Sequence, residues 1–253
     1  MCTTCGCDDD RPRLTVLGGP PAAEHVHHGH GRGHDHGQAR TVHIEERVLA
    51  KNDGLAEANR RDLAERGVLA INMMSSPGSG KTTLLERTIR ELGGGRPMAV
   101  VEGDQETLLD AERIRATGCQ VVQINTGEGC HLDAEMLERG LGALDLVAGS
   151  LVFVENVGNL VCPALFDLGE SSRVVIMSVT EGADKPGKYP HMFRTADLVL
   201  INKLDLLPYV DFDPARCVQY IRRVNPDAEV LLLSATTGEG VQQWYAWLRD
   251  RLP

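Results

Sequence analysis

The chain has 253 residues, with 26 Lys and Arg against 36 Asp and Glu, for a formal net charge of −10. That length suits one large α/β domain or two small ones, with enough apolar content for a core. The acidic balance excludes a general nucleic-acid or anionic-membrane binder, which needs a basic footprint, and 4% aromatics leave no broad base-stacking surface. No apolar run reaches the roughly 18 residues of a membrane span. The start, through Asp8, Asp9 and Asp10, lacks the basic and apolar regions of a signal peptide. A cytoplasmic protein that touches neither membrane nor nucleic acid is the expectation.

Residues 1–44 read as a flexible metal-binding tail. Three consecutive Asp, the Gly18-Gly19-Pro20-Pro21 run and His-Gly repeats offer too little apolar area to offset ordering entropy. Residues 45–66 read as a docking helix, with Val48, Leu49, Leu55, Ala56 and Leu63 near helical spacing and Asn52-Asp53-Gly54 weakening its middle. Beyond lies a domain over 67–253. Expected strands are 68–74, 98–101, 121–124, 151–154, 174–178, 198–201 and 230–233; expected helices are 82–92, 105–116, 132–144, 215–224 and 241–252. Apolar runs without alternation mean strands covered on both faces. The rhythm implies an α/β fold, a doubly wound, mostly parallel sheet with helices on both faces, which binds ligands at the carboxyl ends of its strands.

The first strand runs into Ser75-Ser76-Pro77-Gly78-Ser79-Gly80-Lys81-Thr82, and a helix opens at once. This is a phosphate-cradling loop of the P-loop type, with Ser75 at the usual first glycine. Small residues let successive backbone N–H groups wrap phosphates at a helix N-terminus, with Ser76, Gly78, Ser79, Gly80 and Thr83 in the cradle. Lys81 would reach the β- and γ-phosphates, and Thr82 would place its hydroxyl on Mg²⁺. After strand 198–201 comes Asn202-Lys203-Leu204-Asp205. One carboxylate at Asp205 accepts both adjacent donors of guanine, which adenine lacks. Lys203 would cover the base and Asn202 tie this loop to the phosphate loop, while Ser234 and Ala235 begin a turn whose backbone N–H meets guanine O6.

Strand 151–154 ends at Glu155-Asn156-Val157-Gly158. Glu155 stands where GTPases place an Asp that holds Mg²⁺ through water, and the Gly158 N–H would sense the γ-phosphate. Asn159 replaces the water-orienting Gln of fast switch GTPases, so slow intrinsic hydrolysis is expected. Asp104 is either a second Mg²⁺ ligand or an N-cap for a helix starting at 105.

Seven cysteines and nine histidines are unevenly placed. Cys2, Cys5 and Cys7 can close around one ion with the α-amine of Cys2, an N,S₃ set that suits Ni²⁺ or Zn²⁺. His25, His27, His28, His30, His34 and His36, with His43, form a low-affinity metal sponge. Cys130 and His131 open a helix after strand 121–124, and Cys162 lies in the loop expected to move with the γ-phosphate. Singly the cysteines read as packing residues and His131 as a helix cap; together they make a candidate domain metal site, and three ligands underfill it, so a symmetric dimer would complete it. Cys119 and Cys217 sit in apolar segments and read as core.

The tail thiols and histidines, the phosphate loop, Glu155 through Pro163, Cys130-His131, Asn202 through Asp205 and Ser234-Ala235 together resemble the HypB family, hydrogenase nickel-incorporation GTPases of the SIMIBI class of P-loop metallochaperones. The resemblance covers essentially the whole chain. It implies a GTPase that binds GTP and GDP with Mg²⁺, dimerises through nucleotide and exchanges nickel with a HypA-like accessory protein. It further implies service to the large subunit of a [NiFe]-hydrogenase, a tight nickel site at Cys2, Cys5 and Cys7, and a nickel or zinc site at Cys130, His131 and Cys162. Alternatives are a urease-type nickel accessory GTPase, a cobalamin-enzyme chaperone GTPase, a nickel storage protein with structural nucleotide, and a small-molecule kinase.

Overall fold

The computed structural model describes residues 13–16, 38–104, 108–127 and 131–252, with side chains from residue 47 onward. The tail cysteines, the histidines from His25 to His36 and Cys130 lie outside this description, and His43 is described in its backbone alone.

The described strands are β1 (Arg13–Val16), β2 (Leu69–Ser75), β3 (Met98–Asp104), β4 (Gln120–Asn125), β5 (Leu151–Glu155), β6 (Ser172–Ser178), β7 (Leu198–Asn202) and β8 (Glu229–Leu232). They form one sheet in the order β1-β4-β3-β5-β2-β6-β7-β8. Seven strands are parallel, as expected from their unbroken apolar runs, and β1 pairs antiparallel to the β4 edge. Strand β1 falls inside the stretch read as a flexible metal-binding tail.

The helices are α1 (Gln38–Glu65), α2 (Lys81–Leu92), α3 (Leu109–Arg115), α4 (Ala134–Gly142), the short α5 (Lys185–Lys188) and α6 (Pro190–Arg194), α7 (Pro214–Val224) and α8 (Val241–Arg251). Alternate residues of a strand point to opposite faces, and β2 shows what each face buries. Leu69, Ile71 and Met73 pack with Leu84, Leu85, Ile114, Trp244 and Leu248 from α2, α3 and α8. Ala70 meets Leu63, Leu137 and Leu141 from α1 and α4, and Met74 meets Met192, Phe193, Cys217 and Ile221 from α6 and α7. Burial pushes the Cys119 and Cys217 thiols up to about 12, the behaviour of packing residues rather than ligands.

Helix α1 begins at Gln38, earlier than read from the sequence, and does not weaken at residues 52–54. Asn52 donates to Asp167 O (2.7 Å) and accepts from Ala134 N (2.9 Å), and Asn59 donates to Ala134 O (2.8 Å) and Leu168 O (3.0 Å). The suspected break is a docking contact. Strand β2 lies between β5 and β6 in mid-sheet, where the connections diverge to the two sides, so the carboxyl ends of β2, β3, β5 and β7 surround one crevice. Among the described residues no helix is long and apolar enough to cross a membrane.

Candidate nucleotide and metal site

The phosphate loop leaves β2 after Ser75 and turns through Gly78 (φ 72°) and Gly80 (φ 94°) into α2. No side chain caps α2, so its first backbone N–H groups stay available to an anion. Gly80 is doubly required. Its left-handed backbone disfavours any side chain, and a Cβ there would stand 2.5 Å from Asn202 Nδ2.

At the end of β5, Glu155 Oε1 accepts from both Lys81 Nζ and Thr82 Oγ1, each at 2.6 Å. This residue is 2% exposed, and its other oxygen is buried without a hydrogen-bond partner. Opposite it in the β3–β5 register stands Glu102, equally buried, whose Oε2 is also without a partner. Burial first, then the neighbouring Glu155 charge, pushes the Glu102 carboxyl up to about 9, so it is protonated at neutral pH. The sequence reading missed Glu102 because it ended strand 98–101 at the first charge, whereas β3 continues through Asp104. Asp104 faces the same open cleft of about 540 Å³, which the phosphate loop, Asp110, Arg113, residues 155–158 and Lys203 also line. The N-cap alternative for Asp104 is overturned: α3 starts only at Leu109, capped by Leu108 without a side-chain bond. Arg113 also bonds Thr83 Oγ1 (3.3 Å).

On the far side of the loop, Asn202 Nδ2 donates to Ser79 O (2.9 Å) and Lys203 Nζ to Gly78 O (2.6 Å). Lys203 is the single described non-glycine residue with positive φ (65°), a strained turn that lays its side chain along the loop. The Ser234 hydroxyl donates to Asp205 Oδ1, and the Ala235 N–H donates to Asn202 Oδ1 (3.0 Å). That N–H therefore ties two loops together in this conformation. Ser76 bonds Glu181, which also accepts from Ser178 N (2.9 Å).

Residues 155–158 pass over the loop closely enough that a Cβ at Gly158 would lie 3.2 Å from Pro77 Cα. The Asn159 side chain accepts from Val161 N (2.8 Å), closing the turn before Cys162. Cys162 is half-buried and starts a short 3₁₀ turn, Cys162–Ala164. His131 stacks on Phe166 at 3.9 Å between ring centroids, which brings the two loops that carry His131 and Cys162 together. Burial lowers the pKa of its imidazole against the charge of Asp133, leaving the neutral ring that can ligate a metal. His131 is not a helix cap; Asp133 is, accepting from Met136 N (2.7 Å). Among the described residues no three His, Cys, Asp or Glu gather as a metal would need.

Residues 69–232 match the family model described as CobW/HypB/UreG, nucleotide-binding domain. The hydrogenase maturation factor HypB of Azotobacter vinelandii is 51% identical over 277 aligned residues, covering 98% of this chain and 91% of its own length. The chain belongs to the HypB family. The crystal structure of the HypB hydrogenase maturation factor of Archaeoglobus fulgidus superposes with a TM-score of 0.76 at 43% identity, over 81% of this chain and all of its own. That of HypB from Helicobacter pylori in complex with nickel has a TM-score of 0.74 at 38% identity, over 79% of this chain and 94% of its own.

Proposed function

We propose that the chain hydrolyses GTP to GDP and phosphate and hands on nickel during maturation of a [NiFe]-hydrogenase. One observation carries the reading. Glu155 bonds both phosphate-loop residues Lys81 and Thr82 and opens the stretch that runs through Gly158 to Cys162. A γ-phosphate that draws on Gly158 would thereby move a thiol that grips metal.

Lys81 binds the β- and γ-phosphates, and Asp205, with Ser234 on its carboxylate, selects guanine. Mg²⁺ fits the acidic end of the cleft, where two buried carboxyl oxygens have no partner; Thr82, Asp104 and Glu155 would hold it, and it would neutralise charge on the γ-phosphate. Asn159 is engaged in its own turn, which supports slow intrinsic turnover.

Cys130, His131 and Cys162 form a nickel or zinc site, completed in a GTP-dependent homodimer, and Cys2, Cys5 and Cys7 a tight nickel site fed by the tail histidines. The polarity of β1 supports joint action of tail and domain. Arg13 pairs with Asn125 at the carboxyl end of β4, so the preceding chain leaves from the end of the sheet where the His131 loop begins. Cys7 is six residues upstream, a reach of at most about 20 Å. The exchange partners are a HypA-like nickel accessory protein and the hydrogenase large subunit, in the cytoplasm. The tail thiols and the identity to the Azotobacter hydrogenase factor favour this over a urease-type accessory protein.

The test compares phosphate release from GTP by the native chain and Lys81→Ala. Release should fall at least about tenfold in the variant. Equal release would instead favour a nickel store that uses nucleotide structurally.

A further inference from the structure

Asn156 follows Glu155 and is 1% exposed. Its backbone N–H donates to Met73 O on β2 (3.1 Å), so the chain is still tied to the phosphate-loop strand where β5 ends. Its Oδ1 accepts from Leu132 N (3.1 Å) and Val157 N (3.0 Å), and its Nδ2 meets Asn72 Oδ1 (3.4 Å). Leu132 is the residue after His131. Its fully buried side chain fills the space above Gly103, where a Cβ would stand 2.6 Å from Leu132 Cγ. Gly103 in turn lies between Glu102 and Asp104. The neighbour of His131 is thus gripped by both strand ends that bring carboxyl groups to the nucleotide cleft.

The Leu132 N–H is a buried donor, and losing its acceptor would leave it unsatisfied. A shift of residues 155–158 must therefore drag Leu132 along or break this bond. The carboxamide suits the position because its oxygen accepts two N–H groups while its nitrogen donates to Asn72. A carboxylate would add a third acid beside Glu102 and Glu155.

We infer that Asn156 is a positioning residue that transmits the state of the nucleotide cleft to His131 through the Oδ1···H–N bond to Leu132. Metal affinity at the domain site then depends on nucleotide along two routes, Asn156 to His131 and Gly158 to Cys162. The inference rests on the proposed reading that His131 and Cys162 bind metal and that residues 155–158 respond to the γ-phosphate.

The experiment uses the full chain with Cys2, Cys5 and Cys7 replaced by Ser, titrated with Ni²⁺ and with Zn²⁺ while saturated with GDP–Mg²⁺ or a non-hydrolysable GTP analogue. Because the protein is saturated, changes in nucleotide affinity do not enter the ratio of metal affinities. The parent should show a ratio of at least about fivefold, the lower range of allosteric coupling, and Asn156→Ala should bring it to about twofold or less. A general loss of stability would leave the ratio unchanged. A parent ratio of one, or a nucleotide-dependent ratio that is unchanged by His131→Ala, overturns the functional reading and this inference with it. A coupled parent whose ratio persists in Asn156→Ala overturns the inference alone. The NMR resonances of the Leu132 amide and the His131 imidazole in the parent are read in the same two states, so the question stands even if the variant fails to fold. Both should shift between them, and positions that do not change overturn the inference.

Discussion

Replacing Glu102 by Gln keeps the shape of the side chain and removes its titration. The carboxyl is held at about 9 in the fold against an ordinary 4.5, because burial and the Glu155 charge both disfavour its ionised form. The folded chain therefore keeps a proton that the unfolded chain gives up. The associated stability is fully present below pH of about 4.5 and is lost as pH rises towards 9. Each pH unit between these limits costs about 1.36 kcal/mol, so from pH 5.5 to 8 the native chain should lose about 3 kcal/mol that Glu102→Gln does not lose. Urea unfolding of nucleotide-free, EDTA-treated protein at both pH values measures this, as a midpoint gap that widens by about 1 M. The variant should be the more stable protein at pH 8. Parallel pH curves for the two, within about 0.5 kcal/mol, would show that Glu102 is ionised in the fold and that the paired-carboxyl account of the cleft is wrong.

Three further outcomes are expected. Asn59→Ala removes two buried hydrogen bonds and leaves Ala134 O and Leu168 O without that donor, at a cost of about 2–3 kcal/mol. Calorimetry should record a Tm lower by about 5–10 °C, and a drop below about 1 °C would mean that α1 is not anchored there. Gly80→Ala places a methyl group against Asn202 Nδ2 in a left-handed turn, so GDP affinity should fall at least about tenfold by fluorescent-nucleotide titration; unaltered affinity would show that the loop can absorb the group. Lys81→Ala should also weaken GTP more than GDP if the lysine reaches the phosphate that GDP lacks, as proposed, and equal losses in a competition assay would count against that placement.

What rested on a long or distinctive local pattern was legible. Seven apolar runs became seven parallel strands because both sheet faces are covered, and the phosphate loop declared itself by small residues between a strand and a helix. Strand β3 was cut short because charge ordinarily ends a buried strand. Glu102 continues it because its carboxyl is protonated within the ladder beside Glu155. The four residues of β1 alternate polar and apolar, but the run is too short to stand out within a Gly-, Pro- and His-rich stretch, and they cover the edge that β4 would otherwise leave open. Helices α5 and α6, of four and five residues, are too short for a 3.6-residue pattern to register.

Helix α1 shows why the polar half of the docking problem stayed hidden. The apolar positions singled out in the sequence included Val48, which is exposed, whereas the buried stripe is Asn52, Ala56, Asn59 and Leu63 at spacings of four, three and four. Two of the four are polar, so a search for apolar periodicity discounts the face that makes the contact. A purely apolar stripe could settle one turn along with little loss. Carboxamides bonded to the backbone of Ala134, Asp167 and Leu168 cannot, since each needs a particular N–H or C=O in reach. Those partners sit three residues beyond His131 and immediately past Phe166, the ring that stacks on it. The helix joining the tail to the domain is thus held in one register, against the two loops that carry His131 and Cys162.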